Sequence, residues 1–155
     1  MRIFFLTLFI TLFSACSIKS YKHTSSKVFI IKSPKIKFAD LGYLRSSDKS
    51  IELELFVAGK SFEKITINYL ICTKNGCMSK SRFNSEYLSR FYPDDILQNI
   101  LLGRAIFDGK NLEKNSNGFI QKIVTKNVTI LYKVTPKLIY FKDKKNKILI
   151  KIKGE

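Results

Sequence analysis

The sequence predicts a mainly β domain, an antiparallel sheet with a short helical insertion in the middle of the chain. Three observations carry this. Hydrophobicity alternates with period two through most of the chain after Lys27, turn-forming residues separate the alternating runs, and around residues 93–103 the period becomes helical. Hydrophobic residues make up 45% of the 155, so a core can form despite a formal net charge of +16. A chain of this length is expected to fold as one domain.

The leader comes first. Arg2 precedes eleven residues, Ile3 to Phe13, that are apolar except for Thr7 and Thr11, and Ser14-Ala15 follows. This is the layout of a secretory signal, with small residues before the cut. Eleven residues are too few to span a bilayer as a helix, which takes about twenty. Phe13-Ser14-Ala15-Cys16 resembles the bacterial lipobox. The resemblance implies a lipoprotein signal peptide over 1–15, a thioether-linked diacylglycerol on Cys16 and acylation of the new amino terminus. It makes the membrane a partner through the N-terminal lipid. Ser17, rather than Asp, follows the lipidated position; by resemblance to enterobacterial sorting this implies the outer membrane, periplasmic face. Ser17 to Ser26 is polar and lacks periodicity, so 16–26 reads as a lipidated flexible tether and 27–155 as the domain. His23, the only histidine, falls in that tether, where neither a zinc site nor a catalytic triad would hold it.

Strands are expected at Val28–Lys32 and Lys35–Phe38, on either side of Ser33-Pro34. Ile51, Leu53, Leu55 and Val57 form the next alternating run, and Ile65, Ile67, Tyr69 and Ile71 a further one that continues to Cys72. Beyond the helix, strands are expected at Phe119–Thr125, Val128–Val134, Leu138–Phe141 and Lys147–Lys153. Outward positions such as Phe56, Leu70, Leu131 and Leu149 are also apolar. Either both sheet faces are covered in part or one face lines a cavity. The last strand sets Ile148, Ile150 and Ile152 against Lys147, Lys151 and Lys153, and lysines on a terminal strand are expected to discourage edge-to-edge pairing.

Cys72 and Cys77 flank Thr-Lys-Asn-Gly. A four-residue loop would make the cysteines face each other, as a disulfide in an oxidising periplasm, whereas a two-residue turn at Asn75-Gly76 would put them out of register and leave two thiols. Tyr92-Pro93-Asp94-Asp95 marks a helix start, with Ile96, Leu97, Ile100 and Leu101 on one face and Gly103 at the end. A preceding turn, Asn84 to Arg90, can be helical too. The helix either caps an open end of the core or forms a lid over a pocket. "GRAIFDGKN", Gly103 to Asn111, fails as a phosphate loop: five residues separate its glycines, and Asn111 stands where a magnesium-binding Ser or Thr is needed. No cofactor is expected.

The basic excess is mostly lysine scattered over strands and turns, whereas a nucleic-acid groove favours arginine and clustered aromatics. No nucleic-acid partner is expected. Two accounts of the charge stay open: the coding bias of an AT-rich genome, in a chain rich in Lys, Ile, Asn and Phe, and attraction to anionic lipid.

"PDDILQNILLGRAIF", "GFIQKI", "VTILYKV" and "PKLIYFKDKKNKILIKIK", between Pro93 and Lys153, follow one another in an order that resembles the C-terminal half of LolB-type outer-membrane lipoprotein receptors. The resemblance implies a curved antiparallel half-barrel with a helical lid over a cavity for acyl chains. The N-terminal half looks one or two strands short of that family, and the chain has no tryptophan. Two functions follow. One is a non-enzymatic lipoprotein handling lipid or lipoprotein acyl chains; the other is a lipid-anchored β-sandwich that binds another envelope or surface protein. An internal cavity of several hundred cubic ångströms would favour the first, and a filled core with an exposed apolar patch the second. Dispersed acids and the tether position of the one histidine argue against an enzyme.

Overall fold

The computed structural model describes residues 21–154, so the leader and Cys16 lie outside the described residues. Eleven strands form one open antiparallel sheet: β1 (His23–Lys32), β2 (Lys37–Ser46), β3 (Ile51–Val57), β4 (Lys60–Ile67), β5 (Ile71–Thr73), β6 (Gly76–Met78), β7 (Leu112–Asn115), β8 (Gly118–Val124), β9 (Thr129–Thr135), β10 (Leu138–Asp143) and β11 (Ile148–Lys153). Two helices, α1 (Lys80–Tyr87) and α2 (Ile96–Leu102), lie between β6 and β7. The spatial order is β6-β5-β4-β3-β2-β1-β11-β10-β9-β8-β7. Each half is therefore a meander, and the pairing of β1 with β11 joins the halves at the centre. The helical insertion connects the two edge strands. Buried side chains from β1–β5, β8–β11 and both helices belong to one core, so the sheet curves around its inner face.

Of half-barrel and sandwich, the single curved sheet is observed. Several boundaries differ from expectation for identifiable reasons. The part of the expected tether from His23 to Ser26 is strand, paired with Tyr43–Ser46 of β2, and Lys22 N–H donates to Ser46 O at 2.9 Å. Polar residues hid this extension, because pairing rather than burial holds it. The strand expected at Lys35–Phe38 instead runs to Ser46. Gly42 breaks its apolar alternation by necessity: a Cβ there would lie 2.9 Å from both Phe29 Cδ2 and Glu54 O. The run Ile65–Cys72 is two strands, since Asn68 N–H bonds Leu70 O at 2.9 Å and the Asn68 side chain accepts from Leu70 N–H at 2.9 Å. An Asx-type turn is thus disguised by Tyr69 and Leu70.

α2 begins at Ile96, after a turn in which Ile96 N–H reaches Pro93 O at 3.1 Å, so Pro93 precedes the helix rather than opening it. Gly103 ends α2 in the left-handed region at φ 64°. α1 starts earlier than the expected turn, at Ser79, whose hydroxyl accepts from Arg82 N–H at 3.2 Å. The last strand is no edge: β11 lies between β1 and β10, and β6 and β7 are the edges. Its lysines therefore do not guard an edge, because a strand terminal in sequence need not be terminal in the sheet.

Candidate functional site

The inner face of the sheet is mostly apolar, and the helical insertion covers it. Inward alternation places Phe29 and Ile31 of β1, Leu53 and Leu55 of β3, and Ile150 and Ile152 of β11 in the core. Onto this face α2 lays Ile96, Leu97, Ile100 and Leu101, the four residues expected from helical spacing, each no more than 6% exposed. Seven residues are too few for a helix stable alone in water. Burial of that face holds it, each aliphatic side chain contributing about 2 kcal/mol. α1 adds Phe83, stacked on Tyr87 with ring centroids 4.6 Å apart.

Buried polar groups pin the cover in place. Tyr132 of β9 donates its hydroxyl to Arg104 O at 2.9 Å, at the C-terminal end of α2. Tyr92, just ahead of α2, donates to Asp143 Oδ2 at 2.8 Å. Asp143 is fully buried and also accepts from Thr129 N–H and the Asn146 side chain. Burial alone would raise its carboxyl pKa, but the bonds from Asn146, Thr129 and Tyr92 outweigh that and hold it below the usual carboxylate value. Burial pushes the Tyr92 and Tyr132 hydroxyls up, and the Asp143 bond adds to the shift at Tyr92. Gln121 bonds both the N–H and the C=O of Ile106 at 2.9 Å, pinning the chain as it leaves α2. Asn84 of α1 donates to Pro93 O at 2.8 Å. Sequence reasoning missed these pins. Gln121 and Asp143 were visible as polar residues on the inward phase of otherwise apolar strands.

α2 occupies the middle of the inner face, and the recesses lie around it. Recesses of about 110 and 180 Å³ flank Leu102, below the roughly 300 Å³ at which small-molecule sites begin, and an open one of about 320 Å³ lies between Ile36, Phe62 and Tyr87. A recess of about 400 Å³ is on the outer face at Asp40, Leu41, Tyr43 and Phe56.

Of the other expected residues, Cys72 and Cys77 are directly opposed on β5 and β6 and joined by a disulfide, with Cα atoms 3.9 Å apart. The turn is Lys74-Asn75, with Thr73 opposite Gly76, so the cysteines face each other. The bridge ties an edge hairpin distant in sheet order from β9 and β10. His23 is exposed on β1. Cys16 lies outside the described residues. No family model, curated protein or solved structure matches the chain.

Proposed function

We propose that this is a lipid-anchored envelope lipoprotein, bound to the outer membrane through Cys16, that accepts acyl chains on the inner face of its sheet without covalent chemistry. One observation carries this reading: an apolar sheet face is covered by two short helices of one insertion rather than by a second sheet. A second sheet would be a permanent partner. A seven-residue helix held chiefly by four buried aliphatic side chains is one that acyl chains of similar apolar area can replace, and its removal leaves a groove lined by Ile, Leu and Phe. Acyl chains gain from that lining by apolar burial alone.

Titration of the full chain with a fluorescent fatty acid tests the reading. Saturable uptake is expected, and Tyr132→Phe, which frees the end of α2 from its hydroxyl bond, should tighten binding several-fold. Equal, non-saturating signals from wild type and variant would count against it. The anchor is tested separately by feeding cells a palmitate analogue: label on wild type and none on Cys16→Ala is expected, and unlabelled wild type contradicts it.

The protein-binding alternative is favoured by the filled interior together with the outer recess at Leu41, Tyr43 and Phe56. Under that reading Tyr43→Ala abolishes partner capture and leaves acyl uptake unchanged.

A further inference from the structure

The lysines that sequence left scattered become ordered once the strands are in register. Across the outer face one row reads Lys122 (β8), Leu131 (β9), Lys142 (β10), Leu149 (β11), Lys32 (β1), Lys37 (β2). The next reads Ile120, Lys133, Tyr140, Lys151, Ile30, Ala39, and a third contains Leu138, Lys153, Val28 and Leu41. Cation and apolar side chain thus alternate across most of the patch, with lysines on next-but-one strands about 10 Å apart. No aspartate or glutamate occupies an outward position on β1 or β8–β11; Asp143 falls on the inward phase, Asp40 is exposed beside Leu41 at the rim of the patch, and Glu113 on β7 stands opposite Ile120 at the far end of the second row. Among the described residues, none of these seven lysines is in an ion pair. Lys32 and Lys37 stand directly opposite each other, an arrangement that costs stability.

We infer that this face docks against an anionic membrane surface, its lysines meeting headgroup phosphates and its apolar residues entering the boundary beneath them. Charge complementarity selects a polyanion. The interleaved apolar side chains select a membrane over a soluble one: Leu131, Val28 and Leu41 are 39%, 37% and 51% exposed and offer nothing to nucleic-acid phosphates. Lysine stems lie along such apolar neighbours while their ammonium groups reach outward. The surface is central in the sheet and, among the described residues, no element covers it, so no folding role competes for it there. If Cys16 carries the anchor, four residues separate it from Tyr21, and the five steps between them span at most about 18 Å. That leash keeps the domain beside the headgroups, although the docking face does not require it.

The test uses the full chain on vesicles of phosphatidylcholine alone and of phosphatidylcholine with phosphatidylglycerol, with amine-reactive footprinting read by mass spectrometry. Lys32, Lys142 and Lys151 should react about fivefold more slowly on the anionic vesicles. The protection should fade at high salt, and Lys74 and Lys110, off this face, should not change. A Lys32→Gln/Lys142→Gln/Lys151→Gln variant with an unaltered circular dichroism spectrum should lose the anionic dependence at Lys133 and Lys153. Tyr132→Phe should leave the footprint unchanged, which separates docking from acyl-chain uptake. Equal reactivity on both vesicles overturns the proposal, and protection by soluble RNA as strong as by anionic vesicles overturns it in favour of a different polyanion.

Discussion

The two halves of the outer sheet face carry charge in opposite ways. On β2–β4, Arg45 bonds both Glu52 and Glu54 at 2.8 Å, Lys64 reaches Glu52 at 2.9 Å, and the Tyr21 hydroxyl donates to Glu52 at 2.8 Å. Glu52 is 4% exposed there, and the bonds from Lys64, Tyr21 and Arg45 outweigh the burial that would raise its pKa. On β8–β11 and β1 the outward cations face only one another and apolar neighbours. A genome bias toward lysine would fill both halves alike, whereas the acids of β3 sit among cations and no acid stands among the outward cations of β8–β11 and β1. The neutralised half serves stability and leaves the other half available for a partner.

The largest effect expected to expose this contrast is at Glu52. Glu52→Gln leaves Arg45 and Lys64 without their shared acceptor and should cost about 3 kcal/mol in denaturant unfolding. Lys151→Gln, in the other half, should stay within about 0.5 kcal/mol. Equal losses would erase the distinction.

Beneath the lysine half, Asp143 makes the comparison sharper because neutral donors hold it. Asp143→Asn should cost about 2 kcal/mol. The sign of its pH dependence follows from a folded pKa below the unfolded one. The stability is complete above the ordinary aspartate value of about 4 and is lost as pH falls through the lower folded value. Acid unfolding followed by circular dichroism should therefore have a shallower limb in Asp143→Asn; an unchanged limb would remove Asp143 from the account. The edge hairpin contributes comparably, and Cys72→Ser/Cys77→Ser should cost about 2 kcal/mol. Thiol trapping of unreduced protein should find neither cysteine free.

The smallest expected effect has the opposite sign. Lys32→Glu converts the Lys32–Lys37 pair into an attractive one and should stabilise by about 0.5 kcal/mol while weakening protection on anionic vesicles. A variant that is destabilised instead would mean that this pair already has a stabilising partner.

What was legible in the sequence was local. Period-two alternation located β3, β9 and most of β11, and helical spacing named all four buried residues of α2, because each pattern is written within a few turns or pleats. The three-residue strands β5 and β6 and the four-residue β7 are too short for periodicity to register. The pairing of β1 with β11 joins the two ends of the domain and has no local trace. The lysine rows needed that pairing. Lys151 and Lys32 are 119 positions apart in the chain and become neighbours only when Ile30 lies opposite Lys151. The filled interior was also out of reach, since spacing identifies a buried helix face without stating how much space remains beneath it.

The central claim is that the covered inner face accepts acyl chains. Native mass spectrometry with lipidomics on the chain, extracted from cells without denaturation, tests it most directly. The account predicts co-purifying acyl chains whose occupancy rises in Tyr132→Phe. A clean ligand-free mass for both proteins, under conditions that retain the cargo of a known lipid carrier, would contradict it.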